Sequence, residues 1–210
     1  MLWTDTNFDP TDLPRLTGSQ VEAQEITEIA GRGDVSEFRG FAATPAAAMQ
    51  MDWHDYSIAD FAAHAIIDSV HPELSGIVLS TLNREGTPVN GVLSVKDIYQ
   101  MPIPVSLVVL SGCGTASGKS IPGEGIVGLA HAFLSSGASG VVGTLWPIND
   151  QTTGEMIPIF YRALLDRHLT ISAALRAMQL SMLEQHKPPY DWAGYIVEGD
   201  WRIGRISSAI

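Results

Sequence analysis

The chain has one cysteine among its 210 residues, Cys113, so no disulfide can form within it. Cations are also scarce: 12 Lys and Arg stand against 23 Asp and Glu, and the formal net charge is -11 at pH 7. Nucleic acids and anionic membranes attract proteins with surplus Lys and Arg. The charge balance therefore argues against both as direct partners and favours a basic partner.

Long apolar runs are absent as well. No stretch approaches the roughly 18 apolar residues that indicate a membrane-spanning helix, and residues 1–10 lack the cationic and then apolar segments of a secretory leader. We therefore expect no membrane association and a cytoplasmic location, where a single thiol stays reduced. The sequence has no internal repeat, and its length suits one domain with a sizeable core.

The apolar residues alternate between helical and strand-like spacing along the chain. Capping residues and glycine stops predict helices at 19–31, 44–51, 125–136, 150–167 and 170–185, with Asp150 and Thr170 as N-caps of the last two. Apolar runs predict strands at 56–64, 76–80, 105–110 and 139–145, with a hairpin loop at 83–90. The order strand, helix, strand, helix after residue 105 implies a parallel sheet with helices on its faces.

Two predicted strands end in residues capable of nucleophilic chemistry. His64 ends the segment D-F-A-A-H, and Cys113 follows the run V-V-L-S-G. The carboxyl ends of parallel strands open at one edge of a sheet, so neighbouring strands would bring a thiol and its base together. The glycines on both sides of Cys113 leave room for a substrate. The other histidines have no Cys or acid cluster around them, so we expect neither a metal site nor a cofactor.

A different reading of the same region is a phosphate-binding loop, because C-G-T-A-S-G-K-S at 113–120 nearly matches that motif. Cys113, however, stands where the motif has its first glycine. Pro122 closely follows Lys119 and Ser120, where the motif needs a helix to be under way, and proline disfavours helical backbone in the residue before it. Nucleotide binding is therefore an alternative that both features oppose.

Five ordered segments resemble one known family. They read H-P-E-L-S-G-I-V-L-S at 71–80, V-V-L-S-G-C-G-T at 108–115, G-E-G-I-V-G-L-A at 123–130, G-T-L-W-P-I-N-D at 143–150 and W-A-G-Y-I-V-E-G-D-W at 192–201. They resemble the CHAT family, caspase-like domains that are often found with tetratricopeptide repeats and belong to the same cysteine peptidase clan as separase. The resemblance covers roughly residues 13–202, which leaves an irregular lead-in at 1–12 and a tail at 203–210. His64 and Cys113 lie 49 positions apart (113 − 64), close to the spacing found in caspases.

The resemblance implies an α/β caspase-like sandwich, with a mostly parallel sheet flanked by helices. It assigns His64 and Cys113 as the catalytic dyad of a thiol protease, with the backbone amides of Ala65 and Cys113 as the oxyanion hole. The loop that ends at Asp150 resembles the separase-type specificity loop, in which an acidic residue receives a basic side chain. The implied activity is a cysteine endopeptidase that cuts a protein or peptide substrate after a basic residue.

The sequence departs from the family pattern at the histidine strand. Where the family usually has H-F-A-T-H-G, this chain has D-F-A-A-H-A, with Asp60, Ala63 and Ala65 at the changed positions. Ala65 needs a permissible backbone angle to keep its amide in the oxyanion hole, and without one the rate would fall. Asp60 is about 13 Å from His64 along a strand, too far to orient it. A catalytically idle CHAT-like binding or regulatory domain is therefore the alternative to an enzyme.

The resemblance also implies partners outside this sequence. Relatives in bacterial defence and signalling systems are switched on by a bound partner, so we expect upstream tetratricopeptide repeats or an activating partner. The strands that often precede the L-P-R-L-T-G-like segment of the family are not evident in residues 1–12. On that pattern the domain is expected to lack its N-terminal strands.

Overall fold

The structure is a computed structural model that describes residues 2–4, 16–68, 71–111, 124–206 and 209–210. Within these ranges the chain forms nine β-strands and six α-helices. No helix in the described ranges combines the length and the apolar character needed to cross a membrane.

The strands form a large sheet and a small one. The large sheet has the order β2-β1-β3-β7-β8-β9 and the small one the order β4-β5-β6. Neighbours in the large sheet are parallel except for β8 and β9, whereas both pairs of the small sheet are antiparallel. The strands are β1 Leu2–Thr4, β2 Glu37–Phe38, β3 Ile58–Ala62, β4 Ala65–Ile66, β5 Gly76–Val78, β6 Val92–Ser94, β7 Leu107–Val109, β8 Gly140–Thr144 and β9 Tyr195–Gly199.

The helices cover both faces of the large sheet. They are α1 Gly18–Ala30, α2 Pro45–Met49, α3 Val95–Ile98, α4 Glu124–Ser135, α5 Asp150–Tyr161 and α6 Ile171–Glu184. Several begin or end at the predicted residues: Gly31 ends α1 at a φ of 92°, and the Thr44 and Thr170 side chains accept hydrogen bonds from the first turns of α2 and α6. The expected α/β architecture, a mostly parallel sheet flanked by helices, is confirmed.

The cap of α5 corrects one prediction. Asn149, and not Asp150, is the N-cap, because its side chain accepts a hydrogen bond from the backbone N–H of Thr152 at 3.1 Å. Asp150 is instead the first helical residue, where an acidic side chain favours the positive end of the helix dipole. The α-helix also ends at Tyr161 and continues as a π-helical turn, Arg162–Asp166, so the predicted end near residue 167 holds for the two segments together.

Two apolar cores lie on opposite faces of the large sheet. Alternate residues of a strand point to opposite faces, so in β3 Ile58 joins one core while Ala59 and Phe61 join the other. Every residue of β3 and of β7 is buried, as expected for central strands covered on both faces. A polar side chain in these strands therefore has no route to bulk solvent, which matters for Asp60.

Both ends of the described chain are more ordered than the sequence predicts. Leu2–Thr4, expected to be irregular, forms β1 between β2 and β3 in the large sheet. A three-residue strand is too short to show a period of two, so the sequence carries no signal for it. In the expected tail, Ile210 is buried and exchanges backbone hydrogen bonds with the segment at Asp34 and Ser36. The lead-in and tail boundaries are therefore wrong for these residues.

Candidate active site

His64 lies at the junction of the two sheets. It follows β3 of the large sheet and comes directly before β4 of the small sheet. Its backbone carbonyl accepts a hydrogen bond from Val78 N–H at 2.7 Å, and the residue is only 6% exposed. The chain leaves the large sheet at Ala62 and pairs with β5 from Ala65 onward, so His64 is held from both sides at the carboxyl end of β3.

The strand that leads towards Cys113 is the neighbour of the strand that leads to His64. β7 pairs in parallel with β3, and Ile58 is opposite Leu107 while Asp60 is opposite Val109. These partners are 49 positions apart in sequence (107 − 58), the same separation as His64 and Cys113. The two strands are therefore neighbours, with paired residues as far as Asp60 and Val109. Cys113 itself lies outside the described residues.

Ala65, the first residue of β4, is opposite Ile77 in the small antiparallel sheet. Because Val78 N–H bonds to the carbonyl of His64, positions 64 and 78 form a hydrogen-bonded pair of the antiparallel ladder, and Ala65 with Ile77 forms the next, non-bonded pair. At a non-bonded position the N–H points away from the neighbouring strand. Among the described residues, positive φ outside glycine occurs at His168, His186 and Arg205, so alanine at position 65 carries no backbone strain.

Asp150 lies where α5 meets α1. Its Oδ2 accepts a hydrogen bond from the backbone N–H of Gly18, the first residue of α1, at 2.5 Å. A side chain at Gly18 would collide with the backbone of Asp150, and one at Gly154 would come within 2.9 Å of the Gly18 carbonyl oxygen. The two helices therefore approach through glycines, and Asp150 links them. This structural contact is a role that the sequence did not predict for Asp150.

The tryptophan of the predicted specificity loop is fixed by the segment before β9. The indole Nε1 of Trp146 donates a hydrogen bond to the Tyr190 carbonyl at 2.7 Å, and the two rings stack with centroids 5.9 Å apart. The Cβ of any side chain at Gly194 would lie 2.8 Å from the Trp146 ring. The absence of a side chain at Gly194 thus lets the indole pack flat beside β9, which orients the loop that ends at Asp150.

Beneath the candidate site lies a buried polar cluster that the sequence did not predict. Asp60, fully buried, accepts hydrogen bonds from the Tyr161 hydroxyl at 2.6 Å and from the Ser111 hydroxyl at 3.4 Å. The Tyr195 hydroxyl donates to the backbone carbonyl of Ser111 at 3.2 Å. Glu22 of α1 completes the cluster and is 1% exposed. We call these five residues the buried acid cluster.

Both carboxyl groups of the cluster hold protons more tightly than usual. Burial raises the pKa of Asp60 to about 7, although the hydrogen bond from Tyr161 lowers it in part. Burial, and then the negative charge of Asp60, raises the pKa of Glu22 well above its ordinary value. Of the buried side-chain atoms in the described residues, Glu22 Oε1 is one of two without a hydrogen-bond partner. A carboxyl group with an unpartnered, buried oxygen is far more stable neutral than charged.

The sequence offered one signal for this cluster. Asp60 departs from the family pattern, and an acid in the middle of an apolar strand is unusual because buried acids are costly unless paired. Its partners are spread from position 22 to position 195, so no local pattern connects them. A metal site has no comparable support: within the described ranges, no three His, Cys, Asp or Glu side chains are grouped closely enough to hold an ion.

Comparison with known proteins agrees with this arrangement of strands and helices. A sequence model of the CHAT domain matches residues 4–200. The chain belongs to the CHAT domain family. The match begins at the end of β1 and runs to the residue after β9, so it takes in the whole large sheet apart from the first residues of β1.

Two curated relatives of this CHAT domain carry the name tetratricopeptide repeat protein 28. The human and the mouse protein are each 32% identical to it over 123 residues, which is 57% of this chain. The matched region is only 5% of either relative. The CHAT domain therefore resembles a small part of much longer proteins, whose name refers to tetratricopeptide repeats.

Proposed function

We propose that this CHAT domain is a cysteine endopeptidase that uses His64 and Cys113. The observation that carries the proposal is the shared offset of 49 positions: β3 and β7 are paired with the same offset that separates the histidine from the cysteine. Because His64 follows β3 and Cys113 follows β7, the shared offset favours neighbouring positions for the two side chains beyond the carboxyl ends of these strands. A buried imidazole at a strand end next to a thiol is the arrangement that nucleophilic catalysis requires.

The chemistry proceeds in two steps. The Cys113 thiolate attacks the carbonyl carbon of the scissile peptide bond, and His64 gives a proton to the leaving amine as the C–N bond breaks. A water molecule then attacks the thioester, releases the carboxylic acid and restores the thiol. A free cysteine has a pKa of about 8.5, so a neighbouring positive charge is needed to increase the thiolate fraction near neutral pH. Protonated His64 supplies that charge.

The oxyanion of the tetrahedral intermediate needs donors that are in place before the reaction. We assign the backbone amides of Ala65 and Cys113 to this role. The non-bonded position of Ala65 in the antiparallel ladder supports its part, because its N–H points away from β5 and is not used between these strands. In other enzymes, loss of one such donor costs roughly 2.7 to 4 kcal/mol of transition-state stabilisation.

We assign Asp150 as the acidic residue that receives a basic side chain of the substrate, so that cleavage follows Arg or Lys. Asp150 is half-buried at the start of α5, after the loop fixed by Trp146. The net charge of -11 agrees with a basic substrate. One oxygen of the carboxylate already binds Gly18 N–H, so the other is the one proposed to meet the substrate cation.

We also propose which partners accompany the CHAT domain and where in the cell it acts. The names of the two relatives refer to tetratricopeptide repeats, which supports a CHAT domain that acts beside such repeats or under the control of an activating partner. We expect it to act on a protein substrate in the cytoplasm, where the thiol stays reduced, and a role in bacterial defence fits a partner-activated peptidase.

A cleavage assay tests this function. Wild type, Cys113→Ala and His64→Ala are incubated with a diverse peptide mixture, and the cuts are mapped by mass spectrometry. We expect cuts after Arg or Lys with wild type only, and Asp150→Asn should cut with a weaker preference for basic residues. Cuts that persist in Cys113→Ala would overturn the assignment of the nucleophile. No cuts and no reaction of Cys113 with an electrophilic peptide, in folded protein, would favour the idle binding domain.

A further inference from the structure

We propose that Asp60 is a positioning residue for Cys113, acting through Ser111, and that Glu22 limits the charge of the cluster around it. The role rests on the proposed function, in which Cys113 is the reacting thiol, and it makes the reactivity of that thiol depend on pH. No part of the family resemblance predicts it, because the family pattern has a histidine where this chain has Asp60.

The geometry that carries the role is a chain of hydrogen bonds across the large sheet. Tyr161 of α5 donates to one carboxylate oxygen of Asp60, and the Ser111 hydroxyl donates to the other. Tyr195 of β9 donates to the Ser111 carbonyl. Ser111 is thus held through its side chain and its backbone, and only Gly112 separates it from Cys113 in sequence. The direction in which the backbone leaves Ser111 therefore depends on Asp60.

Polar and charged groups from several elements act on the two acids. Tyr161 and Ser111 donate to Asp60, and the positive N-terminal amino group also lowers the pKa of Asp60. Ser111 also hydrogen-bonds Glu22, which lowers the Glu22 pKa, whereas Asp150 raises it. The charge of Asp60 raises the pKa of Glu22 well above its ordinary value, so a charged Asp60 favours a protonated Glu22.

Ionisation changes how firmly Ser111 is held. Hydrogen bonds to a carboxylate are shorter and roughly twice as strong as those between neutral groups. The contact between Ser111 and Asp60 is 3.4 Å, long for a hydroxyl donor, and it is the one that should tighten most when Asp60 becomes charged. The segment before Cys113 is accordingly held more firmly above the pKa of Asp60, which is about 7, than below it.

The experiment measures how fast iodoacetamide alkylates Cys113 in wild type, Asp60→Asn, Glu22→Gln and Ser111→Ala. Iodoacetamide needs no peptide-binding site, so this readout does not depend on peptidase activity. The ratio of the wild-type rate to the Asp60→Asn rate removes the common ionisation of the thiol. Asp166→Asn, at an exposed position, is the matched control for loss of a carboxylate. Circular dichroism and melting curves establish that each variant is folded.

We expect the ratio of wild type to Asp60→Asn to change by about tenfold, the effect of one charge-assisted hydrogen bond, across a pH range centred near the Asp60 pKa of about 7. Ser111→Ala should show the same loss of pH response, whereas Glu22→Gln and Asp166→Asn should keep it. If Asp60→Asn does not fold, Ser111→Ala decides alone. A ratio that stays constant with pH overturns the positioning role, even where peptides are cut. If the ratio changes with pH but no peptide is cut, the positioning role of Asp60 stands and the proposed function is overturned.

Discussion

Burial of Asp60 should make the protein less stable as the pH rises towards neutrality. The folded state binds the Asp60 proton more tightly than the unfolded state, because the pKa is raised from 3.8 to about 7. The stabilisation that comes from protonated Asp60 is therefore fully present below about pH 4 and is lost as the pH rises through the pKa of Asp60 in the folded state. The rise in pKa from 3.8 to about 7 corresponds to roughly 4 kcal/mol, of which about 2.3 kcal/mol is lost between pH 5 and 7.

Urea denaturation of wild type and Asp60→Asn at several pH values isolates this contribution. Asparagine cannot ionise, so the difference in unfolding free energy between the two proteins should change by roughly 2.3 kcal/mol in favour of the variant from pH 5 to pH 7. Carboxylates that do not interact with Asp60 titrate alike in both proteins and cancel in the difference, whereas Glu22 does not cancel fully because the charge of Asp60 raises its pKa. Glu22→Gln should also gain stability relative to wild type as the pH rises above the ordinary glutamate pKa, because the folded wild-type protein holds the Glu22 proton more tightly than the unfolded chain does. Wild-type and Asp60→Asn curves that run parallel, within about 0.5 kcal/mol, would refute the raised pKa.

Three further substitutions test the helix contact and the oxyanion strand. Gly18→Ala should lower the unfolding free energy by about 2 kcal/mol or more, because its methyl group would collide with the Asp150 backbone; Gly33→Ala, with open space around it, should change it by less than about 0.5 kcal/mol in the same thermal melts. Ala65→Gly should leave kcat unchanged within about twofold, because Ala65 already has an unstrained strand conformation, and a large gain in kcat would show that alanine impairs the oxyanion hole. Asp150→Asn should keep the melting temperature, since an asparagine oxygen can still accept from Gly18 N–H, and should lower kcat/KM for peptides with Arg but not for those with uncharged citrulline in its place.

The parts of the fold that the sequence predicted well are those whose signal is local. β7 is a continuous apolar run because both of its faces are covered, and α6 has a capping threonine and a helical stripe. β1 escaped prediction because its three residues gain their strand conformation from β2 and β3 on either side. The choice between Asn149 and Asp150 as the cap of α5 also needed coordinates, since both side chains can cap a helix.

For the site, a shared sheet edge was predictable and the buried acid cluster was not. His64 and Cys113 each follow an apolar strand, and parallel strands open at one edge, so the sequence predicts both residues at that edge, while the adjacency of β3 and β7 needed the structure. Asp60 and His64 are far apart along one strand, whereas the partners of Asp60, Tyr161 and Ser111, come from other elements. Distance along one strand does not measure contact across a sheet. For this reason Asp60, which is too far from His64 to contact it, still contacts Ser111, two positions before Cys113 in the sequence.

The most direct test of the peptidase assignment is covalent capture of Cys113 by a peptidyl acyloxymethyl ketone that ends in arginine. With folded wild-type protein, or with the protein bound to an activating partner, mass spectrometry should find one adduct, on Cys113, and His64→Ala should form it much more slowly. The citrulline version of the same probe should also react slowly, because it has no charge for Asp150 to bind. Absence of an adduct under both conditions, or equal reaction of wild type and His64→Ala, would contradict the assignment of His64 and Cys113 as a catalytic pair.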